Sequence, residues 1–182
     1  MSQPPVQLAL LRGINVGGHN KLPMRELVRI FESLGCTDVR TYIQSGNVLY
    51  RADRTLAKGL PSMATEAIRK DLGLEVPVVT RSATQWRRLV GANPFVAAGV
   101  ETSELALGLM REKPSAKAVA LLDPDRSPTD SFELRGAELY LHFPDGVART
   151  KLTNAYFDSR LKTVTTVRNW KTTLKLLELA DA

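Results

Sequence analysis

Apolar and polar positions alternate along this chain in blocks that change period, and those changes mark its elements. Val6 to Arg12 is a compact apolar run that reads as a buried strand, and the Gly-Ile-Asn-Val-Gly-Gly-His-Asn stretch after it must be a loop. From Pro23, Met24, Leu27, Val28, Phe31 and Leu34 recur at helical spacing, and Gly35 supplies a left-handed stop. Val39, Thr41 and Ile43 then alternate with Arg40, Tyr42 and Gln44. After Ser45-Gly46 the chain resumes as Asn47 to Arg51, which predicts two strands joined by a tight hairpin with a polar tip. Met63, Ala64, Ala67, Ile68 and Leu72 predict a second helix starting at Pro61 and stopping at Gly73, before a strand over Val76 to Thr80.

The order so far is βαββαβ, which favours a four-stranded antiparallel sheet with two helices on one face, the ferredoxin-like arrangement. Ser82 to Val90 predicts a connecting helix. The second half repeats the order without repeating the residues: strand Leu105 to Arg111, helix Ser115 to Leu122, a hairpin over Ser131 to Phe143 turning at Arg135 to Glu138, helix Thr153 to Leu161, and a short strand at Thr163 to Thr166. A final helix from about Arg168 carries Trp170, Leu174 and Leu177 on one stripe, the spacing that core packing requires. The expected fold is therefore α+β, with an N-terminal ferredoxin-like lobe at 1–81, a connecting helix and linker at 82–103, and a C-terminal lobe with its terminal helix at 104–182.

Composition narrows the class. The chain has 182 residues, 43% hydrophobic and 24% charged, inside the range of globular proteins. Its apolar runs fall far short of the ~20 residues that span a bilayer, so a cytoplasmic protein without membrane contact is expected. The single cysteine, Cys36, can form no internal disulfide and has no cysteine neighbour for a zinc or redox motif. The net charge of +6 sits at the two ends, with +3 in residues 1–54 and +4 in residues 146–182 against −1 between them. That pattern suits an anionic partner, either a phosphorylated small molecule or a nucleic acid, and equally suits a solvated surface.

Topology places a candidate site. In a ferredoxin-like half the loop after the first strand and the hairpin between the second and third emerge at the same edge. Arg12, Asn15, Gly17, Gly18, His19 and Lys21 should therefore neighbour Gln44, Ser45 and Asn47. The loop runs into a helix N-terminus, where unpaired N–H groups and the helix dipole favour an anion. The alternative reading is a long polar connection in which the glycines adopt positive φ and an asparagine caps the turn. The same geometry in the second half brings Lys151, Arg168 and Asn169 to one edge, and if that edge faced the Arg12 loop the cations would line an inter-lobe cleft. Otherwise Asn169 caps the C-terminal helix and Lys151 is solvated.

Familiar catalytic and cofactor patterns are missing. The loop lacks P-loop spacing, and Gly13, Gly17 and Gly18 do not make a dinucleotide fingerprint. Metal-ligand spacing is absent, and no cofactor is expected. His142 lies on a strand whose neighbours Leu141 and Phe143 take the other face, so it is expected to be exposed. His19 has no local carboxylate partner, although a histidine in a cleft could serve as a general acid or base. A nucleic-acid-binding module is the alternative of a different class, supported by the basic ends and the sheet topology, but only Tyr50 on the third strand offers a stacking aromatic. A structural or partner-binding protein with no ligand fits the same sequence.

Three segments carry a family resemblance: Leu-Arg-Gly-Ile-Asn-Val-Gly-Gly at 11–18, Tyr-Ile-Gln-Ser-Gly-Asn-Val at 42–48 and Thr-Val-Arg-Asn-Trp at 166–170. Together they resemble the bacterial domain-of-unknown-function family 1697, over essentially the whole chain. The resemblance implies an α+β fold with ferredoxin-like lobes and implies no reaction. The chain departs from the family's usual pattern at Thr166-Val167 and at Thr150-Lys151, where a Ser-Lys pair is commoner, which weakens any specific role for the hydroxyls there.

Overall fold

A computed structural model describes residues 3–182. Two compact units divide them: residues 3–87 together with Leu176–Ala182, and Arg88–Lys175. Each holds one four-stranded, wholly antiparallel sheet.

The first unit is built from β1 (Val6–Leu11), α1 (Met24–Ser33), β2 (Thr37–Tyr42), β3 (Asn47–Arg51), α2 (Arg54–Leu72) and β4 (Val78–Ser82), with strand order β2-β3-β1-β4. The alternation of the strands decides the packing. Ala9, Leu11, Val48, Tyr50 and Val78 meet Leu27, Ile30 and Phe31 of α1 and Leu60, Ala64 and Ile68 of α2 in one core. Gly35, at φ +95, ends α1 as expected, its N–H bonded to Glu32 O while Cys36 N–H reaches Phe31 O.

Helix α2 differs from expectation. It starts at Arg54, not Pro61, because Asp53 caps it by accepting from Leu56 N–H at 2.8 Å. Pro61 therefore lies inside a 19-residue helix. Proline removes one helical donor, and Thr65 Oγ1 binds the Pro61 carbonyl at 2.9 Å within the same turn. Cys36 is buried, and desolvation pushes its thiol up to about 11, so the resting group is a neutral thiol packed in the core rather than a nucleophile.

The second unit follows the same order. It contains α4 (Pro94–Ala97), β5 (Leu105–Met110), α5 (Ala116–Val119), β6 (Ser131–Arg135), β7 (Glu138–His142), α6 (Asn154–Leu161) and β8 (Thr165–Asn169), with strand order β6-β7-β5-β8. Before α4, α3 (Ala83–Gly91) connects the two halves, and α7 (Trp170–Asp181) ends the chain. The hairpin turns where the sequence predicts it, whereas α5 is a single turn capped by Ser115. Phe157, Leu161 and Tyr156 of α6 pack on Ala106, Leu139 and Leu141. In α7 the buried positions are Trp170, Thr172, Thr173, Leu176 and Ala180, while Leu174 is 41% exposed, so the expected stripe is displaced.

Candidate functional site

Five residues between Gly13 and Asn20 have positive φ: Gly13, Asn15, Gly17, Gly18 and Asn20. Left-handed positions interleaved with ordinary ones turn the backbone back on itself and can aim successive N–H groups outward. Asparagine tolerates that conformation where most side chains do not.

Asn15 organises this loop. Its Oδ1 accepts from Leu22 N–H at 2.9 Å, and its Nδ2 donates to Leu22 O at 3.0 Å and to Gln44 O at 2.9 Å. A second tie comes from Asn20 Nδ2, which donates to Gly13 O at 2.9 Å. Leu11 N–H donates to Gly46 O at 2.8 Å, so the end of β1 also holds the hairpin. The neighbourhood expected from topology is therefore present, and one asparagine amide bridges it. Because all of its amide capacity is spent on backbone, Asn15 acts as scaffold and has no donor left for a ligand. Asn47 differs from its expected role for a similar reason: it is fully buried and donates to Tyr42 O and Ser45 Oγ within the hairpin.

Four of the expected residues, Asn15, Gly18, Lys21 and Gln44, line a surface pocket of about 450 Å³ together with Leu22 and Pro23. Lys21 and Gln44 are exposed, and among the described residues neither the ammonium nor the Gln44 amide has a partner. The N–H groups of Gly17 and Gly18 likewise make no hydrogen bond among the described residues. Pro23 stands at the N-cap of α1 and supplies no side-chain cap. Among the described residues no carboxylate lines the pocket. His19 is exposed beside Gly17, with no ion pair among the described residues, and Arg12 is half-buried with its N–H on Pro77 O.

Lys151, Arg168 and Asn169 belong to the second unit. Asn169 caps α7, its Oδ1 accepting from Thr172 N–H at 2.8 Å and its carbonyl from Thr173 Oγ1. The Arg168 side chain is half-buried at its surface, but its guanidinium is enclosed enough that desolvation lowers its pKa to about 10, and Nη1 donates to Thr166 Oγ1 and Val167 O. Lys151 lines a different pocket, of about 670 Å³, together with the carboxylates Asp130 and Asp145. There Ser127 Oγ accepts from Lys151 N–H and donates to Asp130 Oδ2 at 2.6 Å.

Sequence reasoning missed one cluster. His142 is only 19% exposed; its Nε2 lies 2.8 Å from Glu104 Oε2, its Nδ1 3.5 Å from Ser131 Oγ, and Phe95 sits against the ring. The register pairs Ser131 and Leu105 with His142 from opposite sides, which brings Glu104 in from the residue before β5. Partners 11, 38 and 47 positions away give no local signal for it. Among the described residues no group of three or more His, Cys, Asp and Glu could hold a metal ion, and no helix is long and apolar enough to cross a membrane. Tyr50 is fully buried, edge-on to Phe31 at 5.4 Å between ring centres, which removes the only aromatic platform offered for stacked bases.

The model of a family described as a protein of unknown function, DUF1697, matches residues 6–140. The chain belongs to the DUF1697 family. A conserved bacterial protein from Streptococcus pneumoniae shares the DUF1697 fold seen here: its solved structure matches at a TM-score of 0.70 and 20% identity, over 97% of this chain and 98% of that one. Among curated proteins nothing matches. The motif around Asn15 and the Gln44 hairpin both lie inside the matched DUF1697 segment, while Lys151, Arg168 and Asn169 lie beyond it.

Proposed function

We propose that this DUF1697 protein binds a small anionic ligand, of the phosphorylated-metabolite class, in the pocket between the Arg12 to Lys21 loop and the Gln44 hairpin tip. The observation that carries the reading is the pocket's composition: one unpaired ammonium, one unengaged amide, the open backbone N–H of Gly18 with that of Gly17 next to it in the chain, and, among the described residues, no carboxylate. A phosphate needs several donors at once and is repelled by carboxylates. The pocket meets both conditions. The uncapped start of α1 adds the positive end of a ten-residue helix dipole.

The roles divide accordingly. Lys21 supplies charge, Gly17 and Gly18 supply directed donors, and Gln44 recognises a polar group beyond the anion. Asn15, Asn20 and Asn47 hold the frame.

Thermal-shift titration with inorganic phosphate, pyrophosphate and a panel of phosphorylated metabolites tests the reading. A ligand-dependent rise in melting temperature is expected in the native chain, reduced at least about tenfold in apparent affinity by Lys21→Ala, as befits one lost charge-assisted bond of about 1.5–3 kcal/mol. Equal responses in native chain and variant would sink it.

A further inference from the structure

Ile43 departs from every rule that governs its neighbours. Alternation assigns it to the inward face with Val39 and Thr41, yet β2 ends at Tyr42 and Ile43 turns outward, 51% exposed, at φ +50. A β-branched side chain in the left-handed region is a backbone outlier, and an exposed one obtains no burial in return. Glycine or asparagine would fill the same position without strain. Val16 is the other exposed aliphatic residue here: it is 65% exposed and follows Asn15, a pocket residue, as Ile43 precedes Gln44, whereas Ile14 of the same loop is buried. The Asn15 amide bonded to Gln44 O joins residues 15 and 44, so Val16 and Ile43 flank the same junction.

Resting on the anion-binding reading above, we infer that the ligand is an adenine mononucleotide, with its phosphate at Lys21 and the Gly17-Gly18 N–H groups and its base held against Val16 and Ile43. A bare phosphate or a sugar phosphate gives two exposed aliphatic side chains nothing to cover. A nucleobase has flat apolar faces that apolar side chains bracket, and a polar edge that a side-chain amide reads. Gln44 supplies that amide, its donor and acceptor both unengaged, and glutamine matches the paired donor and acceptor of adenine N6 and N7. Contact with the base then gives the exposed Ile43 side chain the burial that the fold alone does not. A pocket of about 450 Å³ lies within the range that encloses small molecules.

Calorimetric titration of the full chain with AMP, ribose 5-phosphate and inorganic phosphate separates the two levels of the proposal. AMP is expected to bind at least about tenfold more tightly than ribose 5-phosphate. Ile43→Asn is expected to raise the melting temperature by about 2–4 °C while bringing AMP affinity down to that of ribose 5-phosphate, and Ile43→Gly provides the same comparison should the asparagine variant fold poorly. Gln44→Ala should lower AMP affinity and leave ribose 5-phosphate unchanged. Equal affinities for AMP and ribose 5-phosphate in the native chain would overturn the base contact and leave the anion site standing. A fall in melting temperature in both Ile43 variants would show that Ile43 serves the fold and would likewise overturn the inference. Absence of binding by all three compounds would remove the anion site itself.

Discussion

A single side chain, Asn15, converts a polar loop into a defined shape. Its oxygen and both amide hydrogens are committed to Leu22 and Gln44 backbone, at 2.9 to 3.0 Å. It also occupies φ +54, where alanine is strained. Asn15→Ala should therefore cost about 2–4 kcal/mol in urea-denaturation experiments, from the lost bonds together with the strain. Asn15→Gly keeps the conformation and loses only the bonds, so its smaller loss would separate the two contributions. Asn15→Asp retains the acceptor for Leu22 N–H and should fall between them. The sequence displays this residue's hydrogen-bonding capacity but not its direction. Its partners include a carbonyl 29 residues away. The distinction between an asparagine that binds a ligand and one that braces a loop is thus decided by tertiary contact alone, and the same holds for the buried amide of Asn47.

At the scale of the element, the hairpin linking β2 and β3 depends on Gly46. A Cβ there would lie 2.6 Å from Leu11 Cβ and 2.9 Å from Ile14 Cδ1, at φ +74. Leu11 and Ile14 are both 1% exposed and cannot move aside cheaply. Gly46→Ala should destabilise by roughly 3 kcal/mol or more, combining overpacking with backbone strain, and should abolish ligand-induced thermal shifts because the Gln44 tip can no longer seat against the loop. A variant of native stability would contradict that account. Element order, the α1 stop at Gly35 and the position of both hairpins were legible because each rests on local chemistry. The start of α2 was not, since Pro61 is a strong first-turn signal and masks the earlier Asp53 cap with its Leu56, Ala57 and Leu60 face. The environment of His142 was also hidden: strand alternation tells which face a residue takes, and only the assembled unit places Glu104, Ser131 and Phe95 on that face.

The whole molecule joins two sheets of identical strand order in one chain, a repetition that pattern reading recovers although the residues of the halves differ. What the pattern does not reveal is that Leu176–Ala182 groups with the first unit. There Asp181 pairs with Arg87, Arg40 Nη2 donates to Leu179 O at 3.4 Å, and Leu176 is fully buried. Removing residues 176–182 should lower the melting temperature of the first unit, read as earlier loss of the Arg87 and Arg40 region in hydrogen exchange, with β5 to β8 protected longer. Uniform loss of protection throughout the chain would refute a unit-specific effect. This return of the chain also orders events on the ribosome. Every residue of the second unit is synthesised before those that complete the first, so of the two units the one carrying the Asn15 loop begins to emerge first and is finished last. A nascent chain stalled before Leu176 therefore exposes an incomplete first unit, and quality control acting during translation has its longest opportunity at the unit that carries the Asn15 loop.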